Sequence, residues 1–233
     1  LLLLLNASIP FGSVMGIRVR VHVLLLVLLL VVVLLTGNER GAWIALATIA
    51  GLFGIVLLHE LGHCLVAQRH GIPESPGIEA RVAIAGPAVN FALFALALPV
   101  ALLDGRMLAL PAALSELLRW FLAANLVMGL FNLLPAFPMD GGRILRAYLA
   151  RRGDWLLATE RAVRVSRWMA FVLLALGLIG LPGSLGPNLS LVLVAVFIWW
   201  SGLQELMLVR ARHQPHPLQR IFELLAQQRT DRR

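Results

Sequence analysis

His59, Glu60 and His63 stand in the run His-Glu-Leu-Gly-His. On a helix, residues four apart share a face about 6 Å apart along the axis, so both imidazoles can bind one zinc ion while Glu60 reaches its water as general base. The run lies inside an apolar stretch from Ala42 to about Ala67, long enough to cross a bilayer. Ionisable side chains in hydrocarbon cost about 2.5–3.5 kcal/mol each on insertion scales, and they mark functional sites for that reason.

A catalytic zinc site uses three protein ligands and keeps a fourth position for water, so this run leaves one ligand to find. Asp140 is the candidate, in the stretch Asn132-Leu133-Leu134-Pro135-Ala136-Phe137-Pro138-Met139-Asp140-Gly141-Gly142 that closes a later apolar segment. The prolines interrupt helical hydrogen bonding and the paired glycines permit unusual backbone angles, which lets a carboxylate turn back into a bundle. The competing reading of Asp140 is a turn or cap residue. Asn90, in Ala85-Gly86-Pro87-Ala88-Val89-Asn90, and Asn132 are candidates either to hold a substrate's backbone or to tie helices together, since a membrane-embedded amide finds a partner across an interface. Cys64 follows His63 but points about 100° away on a helix and reads as packing. His22 reads as a helix-start residue, and His70, His213 and His216 fall in polar flanks.

The elements that must carry these residues are apolar segments of membrane-crossing length, at about 21–36, 42–68, 82–103, 113–134, 163–181 and 189–209. The chain of 233 residues is 60% hydrophobic and only 14% charged, against about 25% charged for soluble domains. The expectation is an all-α, polytopic integral membrane protein with about six transmembrane helices. It divides into a membrane domain over residues 1–210 and a short amphipathic cytoplasmic tail over 211–233. Leu1 to Leu5 lacks a basic flank and does not read as a signal peptide.

All 20 basic residues are arginine, giving a net charge of +8, and they cluster at the ends of the apolar runs. Helix-end arginine follows the positive-inside rule and makes nucleic acid a poor explanation of the basicity. Arg18, Arg20, Arg69, Arg81, Arg143, Arg146, Arg151, Arg152, Arg161, Arg210, Arg212 and Arg220 fall on one side, and Arg40 and Arg106 on the other. This places both termini in the cytoplasm and both ligand-bearing helix ends toward it. His59 then lies ~14 Å inside the cytoplasmic boundary at ~1.5 Å per residue. A single cysteine excludes an internal disulfide.

Three blocks, His59 to His63, Ala85 to Asn90, and Asn132 to Gly142, occur in an order and membrane placement that resembles the site-2 protease family of intramembrane zinc metalloproteases. The resemblance covers residues 8–210. It implies Zn2+ held by His59, His63 and Asp140, Glu60 as general base, and a catalytic core of the second to fourth segments in a prokaryotic cell membrane. It also implies hydrolysis of a peptide bond in or near the transmembrane helix of a single-span substrate, as regulated intramembrane proteolysis under a regulatory protein. The stretch from His70 to Arg81 is too short for the membrane-dipping hairpin that members usually carry after the His-Glu helix. The tail after Arg210 has room for neither a PDZ domain nor a nucleotide-sensing pair. A non-enzymatic metal-binding transporter or channel is the alternative, but it gives no reason for Glu60 beside the first ligand. A Ste24-like protease would need Glu160 or Glu205 as third ligand.

Overall fold

A computed structural model describes residues 8–14, 16–22, 39–70, 75–180 and 186–213. Two strands, β1 (Ser8–Val14) and β2 (Ile17–His22), precede helices α1 (Glu39–His70), α2 (Pro76–Leu103), α3 (Ala112–Asn132), α4 (Asp140–Ala150), α5 (Trp155–Ile179) and α6 (Leu189–His213). Five of these helices, all but α4, are long and apolar enough to cross a membrane. They match the second to sixth expected segments. The first, 21–36, and the tail beyond His213 lie almost wholly outside the described residues.

Local chemistry explains where the helices depart from the expected bounds. α2 begins six residues early because Ser75 accepts the backbone N–H of Ile78 at 3.4 Å and Pro76 takes the first helical position, where its missing N–H costs nothing. α5 begins eight residues early because Asp154 caps it, accepting from the N–H groups of Leu156 (2.9 Å) and Leu157 (3.1 Å). Its first turns carry Arg161 on the helix rather than in a connection. Asn188 caps α6 in the same way through the Leu191 N–H, at 3.2 Å.

Two elements correct the expected architecture. The fold is mostly helical rather than all-α, because β1 and β2 pair antiparallel from Ser8↔His22 to Val14↔Ile17, with a bulge between Pro10 and Gly12. His22 therefore ends a strand instead of starting a helix. The stretch from Arg143 to Arg161, expected as a connection, holds most of α4. Asp140 opens that helix instead of closing the preceding one.

The chain forms two compact units. The first holds residues up to Ile72 and Ala85–Leu130, and the second holds Pro73–Ile84 and Phe131 onward. In the first unit, α1 and α2 touch backbone to backbone: a Cβ on Gly62 would lie 2.9 Å from the Ala85 carbonyl oxygen. In the second, α5 and α6 run antiparallel, with a Cβ at Gly177 meeting Val192 at 2.9 Å. Residues of the segment 136–139 fill the space on this pair. Ala136 and Met139 pack with Ala170 and Ile198, and Phe137 packs with Ala162, Val163 and Leu206.

Candidate metal centre

In the first unit, α1 presents His59 and His63 one turn apart. His59 is buried and His63 half-buried, their rings meet edge to face at 4.8 Å between centroids, and their Nε2 atoms are 3.2 Å apart. The other nitrogen of His59, Nδ1, lies 2.5 Å from Asn90 Oδ1. Asn90 in turn donates from Nδ2 to Asn125 Oδ1 at 3.2 Å, and Asn125 donates to the Phe121 carbonyl at 2.9 Å. Each amide is oriented by the next, so the chain of bonds fixes the Asn90 carbonyl as acceptor and Nδ1–H of His59 as donor. In the neutral ring that leaves the Nε2 lone pair of His59 turned toward His63, the tautomer a metal ligand needs.

Gly86 makes room for the pair. A Cβ there would lie 2.6 Å from His63 Cε1 and 2.7 Å from His59 Cε1, so any side chain would displace both rings. The Ala85-Gly86-Pro87 run is thus a backbone surface on which the imidazoles rest. Glu60, the residue between, is exposed.

In the second unit, Asp140 is the first residue of α4 and is 7% exposed. The Gly141-Gly142 pair does not adopt unusual backbone angles there, since both residues are helical. Its use is close approach. A Cβ at Gly141 would lie 2.5 Å from the Leu133 carbonyl carbon, and one at Gly142 would lie 2.7 Å from the Ala136 carbonyl carbon. The first turn of α4 therefore nests against the loop it leaves. That loop is pinned by the Phe137 N–H, which donates to Ser166 Oγ on α5 at 2.9 Å.

α4 is held by charge. Arg146, buried, donates through Nε to both carboxylate oxygens of Glu79 at 3.1 and 3.2 Å, and its terminal nitrogens form ion pairs with Glu79 and with Glu205 of α6. Its guanidinium also lies 5.2 Å from the Phe137 ring centroid and 5.0 Å from that of Trp155. Burial pulls the Arg146 pKa down, but the hydrogen bonds and charges of Glu79 and then Glu205 outweigh it and hold the group above its ordinary value.

Of the expected site residues, His59 and His63 lie in the first unit and Asp140 in the second. Asn90 sits behind His59 with its amide engaged on both sides. Asn132 ends α3, half-buried. The acids a Ste24-like reading would use are occupied elsewhere, Glu160 with Arg210 at 2.7 Å and Glu205 with Arg146. Asn125, Glu79, Arg146 and Ser166 were not foreseen. For Asn125 a signal exists, an amide in mid-segment, the same one that singles out Asn90.

Two nitrogens and a carboxylate oxygen are the donor set of a zinc site with an open position. Imidazole nitrogens 3.2 Å apart must share a proton or a cation, so the residues present fit a metal ion.

Comparison with known proteins agrees with this chemistry. The profile of Peptidase family M50 matches residues 96–176. A zinc metalloprotease of Methanocaldococcus jannaschii is 33% identical over 219 residues, covering 86% of this chain and 61% of that protein. A Mycobacterium tuberculosis protein named as a zinc metalloprotease, Rip3, is 35% identical over 232 residues, covering 85% of this chain and 58% of the relative. The chain thus spans about three-fifths of the length of these relatives. The solved structure of a site-2 protease from Methanocaldococcus jannaschii superposes with a TM-score of 0.57 at 31% identity, covering 85% of this chain and 95% of that one. The chain belongs to the site-2 protease family and is an integral membrane protein.

Proposed function

We propose that this protein is a zinc metalloendopeptidase that hydrolyses a peptide bond in or near the transmembrane helix of a single-span membrane protein. The observation that carries the reading is the pairing of His59 and His63 on one face of α1, their Nε2 atoms 3.2 Å apart and His59 held from behind by Asn90; Asp140 would complete the donor set. Asn90 and Asn125 set the tautomer of the first ligand. Zinc bound there would supply Lewis acidity, lowering the pKa of a water toward about 7 and polarising the scissile carbonyl. Glu60 takes the proton from the attacking water and returns it to the leaving amine. Its exposure on α1 leaves it accessible to water and substrate. Asn132, at the end of α3, would hold a substrate backbone.

The β1–β2 hairpin supports the same reading. Among the described residues it is a two-stranded sheet in which each strand has an edge without a described partner, and an extended peptide can add to such an edge through main-chain hydrogen bonds. The hairpin stands before the apolar segments and not after α1. The substrate must unwind locally to be cut, and Gly or Asn in its span lowers that cost by roughly 0.5–1 kcal/mol each relative to Ala or Leu. The arginine distribution puts both termini and the site toward the cytoplasm of a prokaryotic cell, with cleavage in the cytoplasmic half of the substrate. A regulatory protein that controls access completes the picture of regulated intramembrane proteolysis.

The test is Glu60→Gln in purified, reconstituted protein with a panel of single-span substrates, fragments being mapped by mass spectrometry. Zinc content should stay unchanged while turnover falls by a factor on the order of 10²–10⁴, the usual scale for general acid–base catalysis. Undiminished turnover would remove Glu60 from the chemistry. Zinc binding without cleavage of any substrate by the parent protein would favour a metal-handling role.

A further inference from the structure

Arg167 is the innermost of the three arginines of α5, none of which the catalytic reading uses. It lies under two turns along α5 from Arg161, within a candidate membrane span, Trp155–Ile179, and among the described residues no carboxylate pairs with it and nothing accepts from its buried Nε. Its guanidinium lies over the Trp199 ring of α6, 5.3 Å from the centroid. The contrast with Arg146, which has two carboxylates, and with Arg210, which has Glu160, is plain. A cation left unmatched at this depth is costly, and an anion from outside the chain would relieve it.

The surface beside Arg167 shows what such an anion would be attached to. Ala170, Phe171 and Leu174 follow Arg167 at i+3, i+4 and i+7, hence on one helix face. With Ala195, Trp199 and Trp200 of α6 they line an apolar hollow of ≈ 170 Å³. Phe171 and Trp200 are more than half exposed, and Trp199 meets Phe171 edge to face at 5.3 Å. An apolar cavity of about 150 Å³ takes a benzene ring, so the hollow admits one hydrocarbon chain, whereas a helix about 10–12 Å across does not fit it.

The orientation is consistent. Arg161 and Arg164 on α5, and Arg210 on α6, tied to Glu160, mark the end of the helix pair that meets a membrane surface. Arg161 and Arg167 are ~9 Å apart along the axis, and a helical side chain leans toward its helix N-terminus. Arg167 therefore lies within side-chain reach of that surface.

We propose that the α5–α6 groove is a binding site for an anionic phospholipid, with its phosphate on Arg167 and one acyl chain along Phe171, Trp199 and Trp200. A basic residue near the membrane surface contributes a preference of about five-fold for an anionic over a net-neutral headgroup. The experiment uses the full chain in mild detergent, equilibrated with equimolar phosphatidylglycerol and phosphatidylcholine of identical chains, with bound lipid counted by native mass spectrometry. The parent protein should retain phosphatidylglycerol over phosphatidylcholine by about five-fold. Arg167→Gln should bring the two to parity, and Arg161→Gln should leave the preference intact. Ala195→Phe, which fills the hollow while keeping Arg167, should lose the retained lipid, and it serves if Arg167→Gln does not fold. The proposal is overturned by equal retention in the parent, by a preference that survives Arg167→Gln, or by one lost equally in Arg161→Gln, which would assign it to the basic belt. A lipid-free dimer would overturn it in favour of a second copy of the chain.

Discussion

The two units of this protein bury polar groups in opposite ways. In the first, His59, Asn90 and Asn125 form a neutral chain of hydrogen bonds that ends on a backbone carbonyl. In the second, Arg146 is locked between two carboxylates. The difference follows from what each must position. An imidazole that is to bind a cation must stay neutral and keep one lone pair outward, and an amide can orient it without adding charge. α4 carries a carboxylate at its first residue and needs only to be immobilised, which a charged cluster does rigidly. Neutral relays suit the ligand itself, and charged ones suit its scaffold.

The contrast predicts different failures. Arg146→Met leaves Glu79 buried without its partner, and removing one member of a buried pair costs about 3–5 kcal/mol. Denaturant titration in detergent should show that loss, and the double change with Glu79→Gln should recover part of it. A neutral variant as stable as the parent would mean the cluster is not what holds α4. Asn90→Ala should hardly move global unfolding by comparison. It should weaken zinc binding by about 10–100-fold, the usual effect of removing a partner that orients a metal-bound histidine. Competition with a chelating dye measures this, and unchanged affinity would break the proposed division of labour.

The candidate ligands stand out in the sequence because their chemistry is local. The His59–His63 spacing fixes a shared helix face, and Asp140 stood out as an acid in a proline-glycine break. What supports the site was not readable, since Glu79 and Glu205 are 67 and 59 residues from Arg146 and no local pattern links them. The paired glycines were legible as special but for the wrong reason, because close approach to a carbonyl leaves no trace in backbone preference. The hairpin did leave a trace. Ile17-Arg18-Val19-Arg20-Val21-His22 alternates strictly, the period of a strand, but it abuts an apolar run whose length reads as a helix.

Smaller changes sharpen the comparison. Ser166→Ala removes the hydroxyl that accepts the Phe137 N–H and should cost about 1–3 kcal/mol by leaving a buried donor unmatched. Thermal unfolding checks it, and a shift confined to activity would show the bond positions the Asp140 loop without stabilising it. At the far end of α2, Asp104 gives the smallest effect. Its pKa is lowered, first by the Ser115 hydroxyl against the opposing effect of burial, then by backbone N–H groups of Leu110 and Gly105 and the charge of Arg119. A carboxyl depressed on folding stabilises above its ordinary range and loses that contribution as pH falls through its folded value. Asp104→Asn should therefore be slightly less stable than the parent at neutral pH and equal to it in acid.

The central claim is that one zinc ion is held by residues from both kinds of setting. Metal analysis of the purified protein beside Asp140→Ala, with Glu60→Gln as reference, tests it most directly. One zinc per chain in the parent and in Glu60→Gln, with marked loss from Asp140→Ala at retained fold, is the expected result. Full occupancy in Asp140→Ala would contradict it and leave His59 and His63 in need of another partner.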